Sequence, residues 1–255
     1  MKWLIKIYNE SILFKILIIM ILCILLLQVY KRKKESFTMS SSIVYDQITD
    51  SFKINYEISK LSKYIPLQSK ILDIECSTGQ YVHKLSVQGY NVYGIDRNKK
   101  NIDYCSKKYS YPFKQSSLLD TIIYDPQTFD VILCMNLSIY KMKQITTLLQ
   151  NIYDWLKYGG YIYIYCVDDL KPLFKKKYNM NQIKSYHPKL TQISKIEYSL
   201  KEYINYNNEK YYYETPLYYY SKKELLSIAK QHGFIIENMI ELNKNESIYI
   251  LKKPN

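Results

Sequence analysis

The chain has 255 residues, of which 47% are hydrophobic, enough for one folded domain with an appendage and too many for a disordered or fibrous chain. Its 36 Lys and Arg against 23 Asp and Glu give a net charge of +13, which would attract anionic lipid or nucleic acid. The lysines are spread along the chain and no basic-aromatic recognition motif appears, so nucleic acid is a partner that no motif supports.

Cys23, Cys76, Cys105, Cys134 and Cys166 stand singly. Without a CxxC pair or a Cys/His cluster, structural zinc is not expected. Their odd number and apolar surroundings point to reduced core thiols.

Residues 11–30, "SILFKILIIMILCILLLQVY", are apolar apart from Ser11, Lys15 and Gln28. A helix of that length spans a hydrocarbon core of about 30 Å. The Lys near its end can reach the interface with its ammonium. The basic run "KRKK" (31–34) follows in place of a small-x-small cleavage site, which favours an uncleaved anchor over a signal peptide. The positive-inside rule sets this flank, and the domain behind it, on the cytosolic side. The expected organisation is therefore an anchor over 1–34 that meets membrane lipid, a polar linker over 35–42, and a domain over 43–255.

Within the domain, short apolar runs alternate with amphipathic ones. "KILDIE" (70–75) reads as a buried strand and "GQYVHKLSVQG" (79–89) as a helix with Tyr81, Val82 and Leu85 on one face. "YNVYGID" (90–96) is a second strand. A helix over 98–109 follows, with Asn98 as its N-cap. "FDVILCM" (129–135) is a strand, 143–160 a helix stopped at Gly159, and "YIYIYCV" (161–167) a strand. This alternation implies right-handed crossovers and a parallel sheet. Ser221 and Glu224 form a capping box for a helix ended by Gly233. Residues 234–242 and 246–253 read as a terminal antiparallel hairpin. Five of the six glycines fall at helix ends or turns, while Gly94 lies inside the second strand.

At this point the chain resembles the class I S-adenosylmethionine-dependent methyltransferases. "ILDIECSTG", "GYNVYGID", "TFDVILC", "WLKYGG" and "KKELLSIAKQHGF" follow that family's order and spacing over about residues 43–253. The resemblance implies a Rossmann-like α/β fold: a mostly parallel seven-stranded sheet with a C-terminal antiparallel hairpin, here preceded by one transmembrane helix. It also implies S-adenosylmethionine as cofactor, bound at the carboxyl ends of the strands where the strand order reverses.

The family's first loop reads D-x-G-x-G-x-G. This chain keeps Asp73 and Gly79 but places Glu75 and Ser77 at the first two glycines. A non-glycine residue in a left-handed conformation costs about 1–2 kcal/mol. The Glu75 carboxylate would attract the cofactor's sulfonium and ammonium and repel its carboxylate. By the resemblance, Asp96 holds both ribose hydroxyls, and Ser117 stands where an acid usually meets the adenine amino group, with Asp120 three residues on. Asn136, Ser138 and Tyr140, after the fourth strand, would face the transferred methyl, though they lack the Asn/Asp-Pro-Pro-Tyr signature of relatives that methylate nucleic-acid amino groups. Tyr45 and Asp46 resemble a lid segment. Residues 168–217 correspond to the family's substrate-recognising insertion, which here forms either an aromatic, basic acceptor pocket or a strand-rich cover.

Two functions follow. One is methyl transfer to an unidentified acceptor by a membrane-anchored, cytosol-facing domain. The other is a catalytically inactive methyltransferase-like binding or scaffold module at a membrane, suggested by Glu75 and Ser117. A nicotinamide-dependent oxidoreductase fits less well, because no G-x-G-x-x-G follows the first strand.

Overall fold

Strands form where Ile, Val and Tyr crowd together in the computed structural model, which describes residues 15, 17–28, 42–47, 51–174 and 183–255. The chain divides into two units, Met1–Ser41 and Ser42–Asn255. In the first, residues 17–28 are helical and their Leu, Ile and Met side chains are exposed. Among the described residues no helix is long and apolar enough to cross a membrane. The span expected over 11–30 includes residues 11–14, 16, 29 and 30, which lie outside the described residues, as do the basic flank 31–34 and residues 35–41. Ser42, expected to end the linker, lies in a helical segment described over 42–47.

The second unit is built on a seven-stranded sheet of order β3-β2-β1-β4-β5-β10-β9. Its strands are β1 Lys70–Ile74, β2 Asn91–Asp96, β3 Phe113–Gln115, β4 Phe129–Cys134, β5 Leu156–Val167, β9 Ile235–Glu241 and β10 Glu246–Lys252. Strands β3, β2, β1, β4 and β5 pair in parallel, while β10 pairs antiparallel with both β5 and β9. The terminal hairpin forms as the pattern predicts. Ile71, Leu72, Ile74, Val131, Ile132 and Leu133 are all fully buried. Such unbroken apolar runs belong to a parallel sheet covered on both faces.

The helices are α1 Ser51–Leu61, α2 Gln80–Val87, α3 Lys99–Lys108, α4 Ile145–Trp155 and α5 Lys222–Gln231. Asn98 caps α3 by accepting from the Lys100 N–H at 3.1 Å. The Ser221/Glu224 capping box opens α5. Gly233, at φ 91°, closes it: its N–H bonds Lys230 O, and the Phe234 N–H bonds Ala229 O. These are the two bonds of a Schellman motif.

One boundary differs from the sequence reading. The helix expected over 143–160 ends at Trp155, and Leu156 already pairs with Phe129. Gly159, at φ 74°, sits in an irregularity of β5 and gives its N–H to Lys253 O at 2.9 Å. Pairing with two neighbouring strands outweighs continuation of the helical period.

Between β5 and α5 the chain adds a separate three-stranded antiparallel sheet: β6 Ile183–Gln192, β7 Glu197–Tyr206 and β8 Glu209–Tyr218. The stretch 168–217 thus takes a strand-rich form. Val44 of the 42–47 segment packs with Ile183, Ile204 and Tyr211 in a small core beside this sheet.

Candidate functional site

Strand order reverses between β1 and β4, so a crevice opens beyond the carboxyl ends of β1, β2 and β4. The 75–79 loop leaves β1 there. Glu75 has φ 52°, Ser77 51° and Gly79 74°. All three positions that are glycine in the resembling family therefore take the left-handed conformation, two of them with side chains attached. The loop is held by Cys76 N–H to Ile95 O at 3.0 Å and by Gly79 N–H to Cys76 O at 2.9 Å. Gly79 then N-caps α2.

Asp96, at the end of β2, secures this loop from the side. Its Oδ2 accepts from the Ser77 N–H at 2.8 Å and its Oδ1 from the Asn98 N–H at 2.7 Å. One carboxylate thus fixes both the loop and the start of α3. Asn101 Nδ2 also reaches Oδ2 at 3.5 Å, so the acceptor capacity left for a hydroxyl donor lies on Oδ1. Glycine is required by packing as well as by φ at Gly79, and by packing alone at Gly94. A Cβ on Gly79 would stand 2.9 Å from the Phe113 ring, and one on Gly94 only 2.6 Å from it.

Glu75 is the unusual group. Its side chain is 3% exposed, with Oε1 3.6 Å from Arg97 Nε and Oε2 3.9 Å from Lys141 Nζ. Arg97 follows β2 and Lys141 lies in the 3₁₀ turn Ile139–Lys141 beyond β4, so the carboxylate lies between the segments that leave β2 and β4. Neither cation is within hydrogen-bond reach, and Oε1 has no hydrogen-bond partner among the described residues. Burial pushes the Glu75 carboxyl up from its ordinary range; Lys141 opposes this and the Asp96 charge adds to it. Asp73, on β1, is buried and its Oδ2 likewise lacks a partner. Burial and then the Asp96 charge hold its carboxyl well above the usual range.

The other expected site residues are placed as follows. Ser117 is exposed, and its Oγ accepts from its own turn, the Leu119 N–H, at 3.3 Å. Asn136 is exposed just past β4 with φ 53°. Ser138 turns inward, its hydroxyl donating to Ile74 O and Met135 O and so tying the ends of β1 and β4 together. Tyr140 is fully buried; its hydroxyl accepts from the Val167 N–H at 2.9 Å and its ring stacks on Tyr219. Of the three residues expected to face a transferred methyl, Asn136 alone is exposed.

The 42–47 segment bridges two parts of the unit. Tyr45 and Tyr186 both donate to Glu202 at 2.6 Å, on the small-sheet side. On the other side Asp46 accepts from Gln80 of α2 at 3.1 Å and from Tyr104 of α3 at 2.9 Å, and pairs with Lys108. Ser42 donates to Asn101 of α3 at 2.9 Å, and Asn101 reaches Asp96. Arg97, Lys141 and Phe113 were not singled out from the sequence. Arg97 adjoins Asp96, which is a signal of sorts, but nothing local marks Lys141 or Phe113.

Residues 71–160 match the family model described as a methyltransferase domain. Over 124 residues the chain is 27% identical to YqeM of Bacillus subtilis (strain 168), whose name describes it provisionally as a methyltransferase; this covers 46% of this chain and 50% of that one. The chain thus spans about half the length of that curated relative. Among solved structures it is similar to an S-adenosylmethionine-dependent methyltransferase from Clostridium acetobutylicum ATCC 824, at 13% identity and TM-score 0.67 over 85% of this chain and 98% of that one. DesVI of Streptomyces venezuelae gives 11% and 0.67, over 85% and 98%. CalS10 of Micromonospora echinaspora, an amino pentose methyltransferase solved with S-adenosylmethionine, gives 10% and 0.63, over 84% and 96%. At such identities the likeness is one of fold. By its matched segment and its architecture the chain is similar to the S-adenosylmethionine-dependent methyltransferases, and S-adenosylmethionine is the cofactor these likenesses support.

Proposed function

We propose that residues 42–255 bind S-adenosylmethionine at the carboxyl ends of β1, β2 and β4 and transfer its methyl group to an acceptor of unidentified class. The observation that carries this is the backbone of the 75–79 loop, left-handed at Glu75, Ser77 and Gly79 despite two side chains that resist it. Left-handed backbone at the two non-glycine residues costs about 1–2 kcal/mol each, and Asp96 holds the loop in that form through the Ser77 N–H.

The chemistry of the residues fits the cofactor. Asp73 and Glu75 each present a buried oxygen without a hydrogen-bond partner, and the cofactor brings an ammonium donor and a sulfonium charge. When bound, S-adenosylmethionine supplies an electrophilic methyl carbon on positively charged sulfur. The chain's part is to bind and align it. Asp96 would take the ribose hydroxyls, Gly79 lets main chain approach, and the 42–47 segment braces α2 and α3. Alignment of this kind can supply much of the rate without a dedicated base.

Titration calorimetry of the full chain with S-adenosylmethionine tests the reading. Saturable heat and a raised thermal midpoint are expected; neither effect at millimolar cofactor would sink it.

A second reading, a non-catalytic binding module, is favoured by one observation: the buried Glu75 carboxylate lies between the segments that leave β2 and β4, where the cofactor would sit. In that case cofactor affinity emerges only in Glu75→Gly.

The proposal extends to residues 1–34 as a single membrane anchor with the domain on the cytosolic side, supported by the apolar run 11–30 and the basic run 31–34. The full chain should then stay with membranes through alkaline carbonate extraction and residues 42–255 alone should not; release of the full chain would rule the anchor out.

A further inference from the structure

We propose that Glu75 is a specificity-determining residue: its carboxylate is the counter-ion for the positive sulfur of the methyl donor, and makes the crevice prefer S-adenosylmethionine to the neutral product S-adenosylhomocysteine. This rests on the methyl-transfer reading and deepens it.

The geometry gives the reason. Three carboxylates, Asp73, Glu75 and Asp96, are buried around the ends of β1 and β2. Asp96 is satisfied by the Ser77 and Asn98 amides. Glu75 Oε1 and Asp73 Oδ2 are not satisfied by any hydrogen bond among the described residues. The cations facing Glu75 are Arg97 and Lys141, whose side chains are 48% and 27% exposed against 3% for Glu75. Arg97 and Lys141, 3.6 Å and 3.9 Å away, lie beyond hydrogen-bond reach and stay partly in water, so they leave Glu75 Oε1 without a direct partner among the described residues. When ionised, Asp73 and Glu75 leave buried carboxylate oxygens that no hydrogen bond among these residues offsets, and a ligand that brings a positive charge relieves this.

Donor and product share adenine, ribose, ammonium and carboxylate. They differ by one methyl group and by the charge on sulfur. In the ratio of their affinities every shared contact cancels, and the effect of a carboxylate on the sulfonium remains. A glycine at this position has no group with which to make the distinction. For an enzyme the consequence is relief from product inhibition, because the same carboxylate that holds the donor loses its partner when the methyl leaves.

The test is titration calorimetry of the full chain with each ligand separately, repeated from neutral to mildly alkaline pH, for the wild type, Glu75→Gln and Glu75→Gly. The wild type should bind the donor about tenfold more tightly than the product, the weight of one contact to a charged group. Both variants should bring the two affinities within about twofold, mainly through weaker donor binding. An unchanged ratio in Glu75→Gln would overturn the counter-ion role and leave methyl transfer standing. If the wild type binds neither ligand while Glu75→Gly binds both, the side chain is a plug, and the role and the methyl-transfer reading fall together in favour of the non-catalytic one. Binding of neither ligand by any of the three proteins would bring down both readings of the crevice.

Discussion

Gly94 has no turn to make; it lies inside β2 because Phe113 needs the space. A Cβ there would stand 2.6 Å from the Phe113 ring and 3.0 Å from Cys76 Sγ, and the same ring closes on Gly79. Gly94→Ala is expected to destabilise the domain by about 1–3 kcal/mol, the usual cost of overpacking, measured as a shift of the urea midpoint. An unchanged midpoint would mean that the ring moves aside freely. This residue also marks how far the sequence could be read. The strand-end and turn positions of Asp73, Gly79 and Asp96 were legible from a local pattern, a strand followed by a tight turn into a helix; their roles toward a cofactor came only from the resemblance to the methyltransferases. The pairing of Glu75 with Arg97 and Lys141 was not legible, because Lys141 arrives from another strand's end far along the chain. Ser138 and Tyr140 looked like crevice residues because a polar side chain after a strand reads the same whether it bonds a ligand or its own turn. The structure gives Ser138 to Ile74 O and Met135 O, and Tyr140 to the Val167 N–H.

Elements were legible where a cap coincided with a change of hydrophobic period. Helix α5 carries both signals, and its capping box and Schellman close form as its residues dictate. Ser221→Ala should cost about 1 kcal/mol in denaturant unfolding, since the Glu224 N–H loses its acceptor and the returning Glu224 carboxylate loses the hydroxyl that orients it. A loss below a few tenths would mean that the β9–β10 hairpin, not the cap, sets the start of this helix. The end of α4 was misjudged for a physical reason. Residues 156–160 have no strand period of their own and become strand through partners: Phe129 for Leu156 and the C-terminal Lys253 for Gly159. No single-segment pattern contains that information. The three-stranded sheet was one of two forms left open for 168–217, because its tyrosines suit an aromatic pocket and a pleated surface equally well.

At the scale of the whole folded unit, stability should depend on pH in a direction set by its buried acids. Burial raises the Glu57 carboxyl, against the pull of Lys53 and a Tyr81 hydrogen bond. Asp73 is raised by burial and then by Asp96. Glu75 is raised by burial, with Lys141, Asp96 and Arg97 as the charges that face it. Each holds its proton in the folded state to a higher pH than in the unfolded chain, where carboxyls titrate at about 3.9–4.3. Their contribution is therefore complete below that range and lost as pH rises through the folded-state values. Glu246 works the other way: burial pushes it up, but hydrogen bonds from Lys53 and Tyr165 outweigh that and hold it low. Its contribution is lost only as pH falls through a value below the unfolded range, outside the window that concerns the raised acids. His83, lowered mainly by burial, opposes them within the window, one group against three. The thermal midpoint should thus rise on mild acidification from neutrality. Glu75→Gln, neutral at every pH, should raise the midpoint at neutral pH and flatten the slope. Midpoints of wild type and variant that fall together toward about pH 5 would show that Glu75 is ionised at no cost, and that Arg97 and Lys141 compensate it fully despite their solvent exposure.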